Sequence, residues 1–378
     1  MATTTAIGRP KTLDETKEYL RRRLAGRLNP LLVQDQQAAA AGIERLQDLD
    51  ADHWAQVWAE IGARFEAQAQ EAEARGDAAA ADAAYFQAYG FYFLGRFPCP
   101  NTALKRENAV KAREFFLWAA RAFDPPLERV AIPFAGRPGE GSEVIVYVRK
   151  PQGVARPPVV VNWGGVDSFK EERNHVAEPF LQAGFATVSI DMPGTGESPV
   201  LGSVDAERQY TPVFEWLRTQ PDLDGERIVC VGGSFGGYWA NKVAHTHREY
   251  LAGVCGWGGG AHLVFQPEWT AKSRYADSYL SDLTHSRGNS MGIDNYDDYV
   301  AFVPRLSLLE QGLVDNPCAP LLLVNGKHDM QTPIADFYFL MEHGDPKACR
   351  VFPGGHMGNT PDTVPTIVRW LRARVDSQ

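Results

Sequence analysis

Apolar positions recur every three or four residues from about Leu13 to Phe123 and every second residue thereafter, so the chain changes its structural period once. The first regime predicts a helix bundle. In "DADHWAQVWAEIGARFEAQAQEAEARGD", Trp54, Trp58, Ile61 and Phe65 form one stripe, and Gly76 stands at the expected stop. "AAYFQAYGFYFLGRFPCP" carries aromatics all round the helix, including Tyr85, Phe86, Tyr89 and Phe91, which predicts burial on more than one side. A third long helix, "NTALKRENAVKAREFFLWAARAF", begins at an Asn101 cap.

Pro125 and Pro126 in "FDPPLERV" end the helical regime and set the expected division into residues 1–124 and 125–378. Beyond it, "ERVAIPF" and "EVIVYVRKP" read as a hairpin. They are followed by apolar strands "PPVVVNWGG", "FATVSIDMPG", "RIVCVGG", "LAGVCGWGG", "PLLLVNG" and "CRVFPGG", most of them separated by helical segments. That alternation predicts an α/β class: a mostly parallel sheet with helices on both faces, preceded by a helical lid or association domain. The interval from about 261 to 318 is too long for a simple crossover and reads as an insertion over the top of the sheet.

In such a sheet, ligands bind outside the carboxyl ends of the strands, and three chemically useful residues follow strands directly. Gly232-Gly233-Ser234-Phe235-Gly236 fits G-x-S-x-G between a strand and a helix, a frequent pattern that by itself leaves a small residue in a tight turn equally open. Serine needs a base, and the base needs an orienting acid. Asp329 follows "LLLVNG" and His356 follows "RVFPGG", which gives the order Ser, Asp, His of an α/β-hydrolase and assigns nucleophile, acid and base. The alternative makes Asp329 a helix cap and His356 a loop histidine. The Phe235 N–H, and the Val166 N–H after Gly164-Gly165, are the candidate oxyanion donors. Tyr85, Tyr89, Trp269 and His262 are candidate substrate contacts. The "DMPGTGESP" loop lacks the third glycine and the lysine of nucleotide-binding loops.

Composition narrows the field further. A formal net charge of -9 leaves no global field for nucleic acid, and the basic run "RRRLAGR" follows acids on what reads as a solvated helix face. No apolar run is long enough to cross a membrane. Five scattered cysteines without CxxC spacing read as free thiols in a reducing compartment, and the first twenty residues lack a signal-peptide core, so cytoplasm is the expected location. No HExxH spacing exists, and His245 and His247 read as helix positions with a surface or satisfied partner, so neither metal nor cofactor is expected; the partner is a small-molecule substrate.

With those residues in place, about Val130 to Val375 resembles the α/β-hydrolase superfamily. "NWGGVDSFKEE" is similar to the GG-(D/E)-S-x-K-E stretch of a subgroup with helical N-terminal domains. That subgroup comprises 2,6-dihydroxypseudooxynicotine hydrolase, fermentation-respiration-switch-like esterases and fungal hydrolases that shorten polyketides. The resemblance implies a serine hydrolase that cleaves a carbon-carbon bond beside a ketone in an aromatic or polyketide-like substrate. Carboxylester or thioester hydrolysis is the alternative, and a non-catalytic binding protein on the same fold the remote one. It also implies a homodimer, and a carboxylate on the oxyanion loop whose matching position is Asp167, one methylene shorter than the subgroup's glutamate. Asp167 equally reads as the cap of a helix beginning near Ser168.

Overall fold

The computed structural model describes residues 8–377, so the leader-segment reading of residues 1–7 lies outside it. The chain divides into two compact units, Arg9–Leu127 and Glu128 onward, the latter joined by Gly8. No helix among the described residues is long and apolar enough to cross a membrane.

The first unit is built from α1 (Leu13–Ala25), α2 (Gln36–Arg45), α3 (Ala51–Ala74), α4 (Ala78–Arg96) and α5 (Ala103–Ala119). Thr12 and Glu15 form a reciprocal capping box on α1, whose Arg21 pairs with Glu44 at 2.7 Å on an exposed face. The α3 stripe buries Trp54, Trp58 and Ile61, while Phe65 is half-buried and stacks on Phe91 at 5.3 Å. Gly76, at φ +76°, takes the left-handed turn after the Arg75 cap. Every residue from Ala88 to Arg96 is buried, as expected of a helix with aromatics on all sides. The α5 cap is Thr102, one residue beyond Asn101, because the Thr102 hydroxyl accepts the Lys105 N–H at 3.3 Å.

The second unit holds eight strands: β1 (Leu127–Pro133), β2 (Glu143–Arg149), β3 (Pro158–Trp163), β4 (Ala186–Ile190), β5 (Asp224–Gly233), β6 (Leu251–Trp257), β7 (Leu321–Gly326) and β8 (Ala348–Phe352). Their order is β1-β2-β4-β3-β5-β6-β7-β8. β2 runs antiparallel to β4, and every pairing from β4 through β3 to β8 is parallel. The parallel strands are apolar on both sides because helices cover both faces. α7 (Thr211–Thr219) and α8 (Phe235–Thr246) bury Val213, Phe214, Leu217 and Val243 on one face. α6 (Asn174–Gln182) and α13 (Thr363–Val375) bury Val176, Phe180, Ile367 and Leu371 on the other. Between β6 and β7 lie α9 (Pro267–Ser273), α10 (Leu283–Asn289) and α11 (Tyr296–Phe302), and α12 (Ala335–Met341) follows β7.

Candidate active site

The turn between β5 and α8 is held by contacts that leave no room for side chains. A Cβ on Gly232 would lie 2.1 Å from Gly236 O, and one on Gly236 would lie 2.1 Å from Gly164 O. Trp163 Nε1–H locks the turn from the neighbouring strand by donating to Gly236 O at 2.8 Å. Ser234 is forced to φ 57°, ψ −125°, a conformation only a heavily constrained turn imposes on a residue with a side chain.

Asp329 and His356 arrive from the two strands beyond β6. Asp329 follows β7 and is 4% exposed, with Oδ1 accepting the Gln331 N–H at 2.7 Å and Oδ2 accepting Asn325 Nδ2–H at 2.8 Å. His356 follows β8 across Gly354, whose φ of +104° only glycine takes readily. Its Nδ1 lies 2.7 Å from Asp329 Oδ2 and its Nε2 lies 2.8 Å from Ser234 Oγ. Burial pushes the Asp329 carboxyl up. The charge and hydrogen bond of His356, with the bonds from Asn325 and Gln331, outweigh that and hold it below the usual carboxylate range.

The loop after β3 passes directly over the serine. A Cβ on Gly165 would lie 3.0 Å from Ser234 Oγ and 3.2 Å from Phe235 N, so glycine is what permits the approach. Neither the Phe235 N–H nor the Val166 N–H has a protein acceptor among the described residues. The structure thus brings Ser234, Asp329 and His356 into one chain of contacts, with Phe235 and the Gly165–Val166 loop beside it.

Asp167 sits in a half-buried turn with Val166, and no helix begins near Ser168 for it to cap. A short 3-10 turn, Glu171–Arg173, precedes α6, which starts only at Asn174. At the head of that turn the Glu172 side chain reaches back to the Phe169 N–H at 2.7 Å, and Asp191 takes the Lys170 N–H at 2.8 Å.

Of the expected substrate contacts, Tyr85 and Tyr89 are each 4% exposed inside the helical unit. Tyr85 stacks on Phe115 and donates its hydroxyl to Glu73, while Tyr89 packs edge-on against Phe116. Their rings therefore pack as core of the helical unit, whereas the expectation was that they would contact substrate. His262 is also engaged structurally, with Nδ1 at 2.7 Å from Ser307 Oγ and its N–H donating to Asp336. Trp269 lies by the acid turn, its indole N–H donating to Gln331 O at 3.2 Å.

Two features escaped the sequence reading. Asn325 bonds Asp329 through Nδ2, and its Oδ1 accepts the Met357 N–H at 2.9 Å, tying the acid turn to the histidine loop. Its one sequence signal is an amide at the end of an apolar strand. Lys170 Nζ lies 2.8 Å from Asp191, 3.2 Å from Glu171 and 2.8 Å from Glu197. Burial lowers its pKa, but the three carboxylates win and raise it, so it stays charged. Among the described residues no cluster of His, Cys, Asp or Glu is arranged to hold a metal ion.

Comparison with known proteins finds hydrolases among the relatives of this chain. Residues 46–371 match the family model described as "Esterase FrsA-like". The chain is 28% identical over 230 residues to a 2,6-dihydropseudooxynicotine hydrolase of Paenarthrobacter nicotinovorans, covering 60% of this chain and 61% of that one. It is 30% identical over 227 residues to Hydrolase ORFZ of Pyricularia oryzae, covering 54% and 53%. It is 22% identical to Esterase FrsA of Photobacterium profundum, over 85% and 77%. The chain spans somewhat over half the length of the first curated relatives it matches. The solved 2,6-dihydroxy-pseudo-oxynicotine hydrolase shares the fold at a TM-score of 0.74 and 20% identity, with 96% of each chain covered.

Proposed function

The chain belongs to the FrsA-like esterase family and is a hydrolase of the α/β-hydrolase type, and on that footing we propose that Ser234, His356 and Asp329 form its catalytic triad. The observation that carries this is the continuous contact from Asp329 through His356 to Ser234 Oγ, on a strained turn that leaves the Phe235 N–H without a protein acceptor. His356 Nε2 takes the Ser234 proton as Oγ adds to the substrate carbonyl, and Asp329 holds the imidazolium that results. The Phe235 and Val166 N–H groups receive the developing oxyanion. Collapse breaks the bond to the leaving group, which takes the proton back from His356. Water, deprotonated by the same histidine, then releases the acid and restores Ser234.

The favoured bond is carbon-carbon, next to a ketone in an aromatic or polyketide-like molecule. This reading rests on the resemblance to a subgroup that includes carbon-carbon hydrolases and on Asp167, which follows Val166 in a half-buried position of the loop after β3 and in this proposal assists protonation of a leaving carbon. The esterases among the relatives favour a second reading, hydrolysis of a carboxylester by the same groups. The deciding experiment compares activated aryl esters with aryl β-diketones, following products by mass for wild type and Asp167→Asn. Selective loss of diketone cleavage supports the carbon-carbon reading. Equal effects on both substrates, or no diketone cleavage by wild type, count against it. A homodimer and a cytoplasmic location complete the proposal; size-exclusion chromatography with light scattering tests the first.

A further inference from the structure

Arg173 closes the 3-10 turn before α6 and is 4% exposed, yet it pairs with no acid among the described residues. The neighbouring carboxylates turn elsewhere. Glu171 accepts the Tyr147 hydroxyl at 2.8 Å and pairs with Lys170, while Glu172 accepts the Phe169 N–H. Among the described residues the guanidinium makes one hydrogen bond, a long one from Nε to Asn162 Oδ1 at 3.4 Å, and Nη2 finds no acceptor there. Desolvation lowers its pKa to about 10, so it still carries its charge at neutral pH.

The location gives this lone cation meaning. A Cβ built on Gly233 would lie 3.4 Å from Arg173 Nη1 and 3.3 Å from Met357 Cε. Gly233 immediately precedes Ser234, so the guanidinium lies beside the residue that leads into the serine turn, with the Met357 side chain next to it. Glycine at 233 keeps the space between the cation and the turn free of side chain. A buried charge without a partner is costly to keep, and a guanidinium fork matches a planar oxyanion such as a carboxylate with two parallel hydrogen bonds.

We propose that Arg173 is an anion-binding residue of this site and that the substrate carries a carboxylate on the acyl side of the bond cleaved. The inference rests on the serine-hydrolase reading given above. It adds to that reading a charge requirement on the substrate that neither the triad nor the oxyanion donors impose.

The test uses mono-4-nitrophenyl glutarate and its methyl ester, which differ in the distal carboxylate alone. Wild type is expected to prefer the acid by about tenfold or more in kcat/KM, as one charge-assisted pair should give. Arg173→Met should erase the preference, and Arg173→Lys should keep part of it. Absence of preference in wild type overturns the proposal without any variant, so a misfolded variant cannot protect it. An equal fall on both esters in Arg173→Met, with the ratio kept, also overturns it. Fluorophosphonate labelling of Ser234 in the same wild-type preparation separates the two claims. A labelled protein without preference sinks the anion site alone, whereas an unlabelled one sinks the hydrolase reading beneath it.

Discussion

Replacing Asn325 by alanine tests whether the acid turn and the histidine loop work as one unit. The side chain is fully buried and makes three bonds: Nδ2–H to Asp329 Oδ2 at 2.8 Å, and Oδ1 to the N–H groups of Gly326 and Met357 at 2.8 and 2.9 Å. The first is charge-assisted and contributes about 1.5–3 kcal/mol, and a buried N–H left without an acceptor costs about 1–3 kcal/mol. Stability should therefore fall by about 3–5 kcal/mol, readable as a lower denaturant midpoint at unchanged slope. Asp329 keeps the Gln331 N–H and His356, so it remains an acceptor but is less firmly aimed. If the lost bond to the carboxylate is fully expressed in the transition state, kcat on an activated aryl ester falls by about ten- to a hundredfold. KM should move by less than about threefold, because Asn325 touches no substrate in this account. A folded Asn325→Ala protein with wild-type kcat would refute the claim that this amide positions the triad.

Other consequences concern the turn, the buried ion cluster and acid stability. Gly236→Ala drives a methyl to 2.1 Å from Gly164 O, so the elbow or the oxyanion loop must shift, and turnover should drop by about a hundredfold or more even where circular dichroism is unchanged. Lys170→Met leaves Asp191, Glu171 and Glu197 facing one another without a cation and should cost about 3–5 kcal/mol in chemical denaturation. Asp329 titrates below its ordinary value, so its contribution to stability is present above the unfolded carboxylate pKa and lost as pH falls through the lowered folded one. The stability gap between wild type and Asp329→Asn should therefore shrink below about pH 4, and a gap that stays constant down to pH 2 would contradict the sign of that shift.

Much of the sheet unit was legible because strands buried on both faces read as continuous apolar runs, as "PVVVNW" and "LLLVNG" do. Ser234, Asp329 and His356 could be picked out together for a related reason: each comes shortly after a strand, although the one before His356 is a half-exposed edge strand, and the fold brings strand ends together. Asn325 and Lys170 were not, since their importance lies in partners 32 and 21 residues away that no local pattern announces. Tyr85 and Tyr89 misled because an aromatic ring in a helix fits a core and a ligand surface equally well until its neighbours are known. The helix expected near Ser168 begins later, as a 3-10 turn at Glu171 that leads into α6 at Asn174, with the Glu172 side chain bonded back to the Phe169 N–H ahead of it.

The central claim is that Ser234 is an activated nucleophile, and covalent capture by a fluorophosphonate, read by intact mass and peptide mapping, tests it most directly. The account predicts one adduct per chain, located on Ser234, lost in Ser234→Ala and slowed sharply in His356→Ala. A folded wild-type protein that takes up no label, or takes it up on another residue, would contradict it.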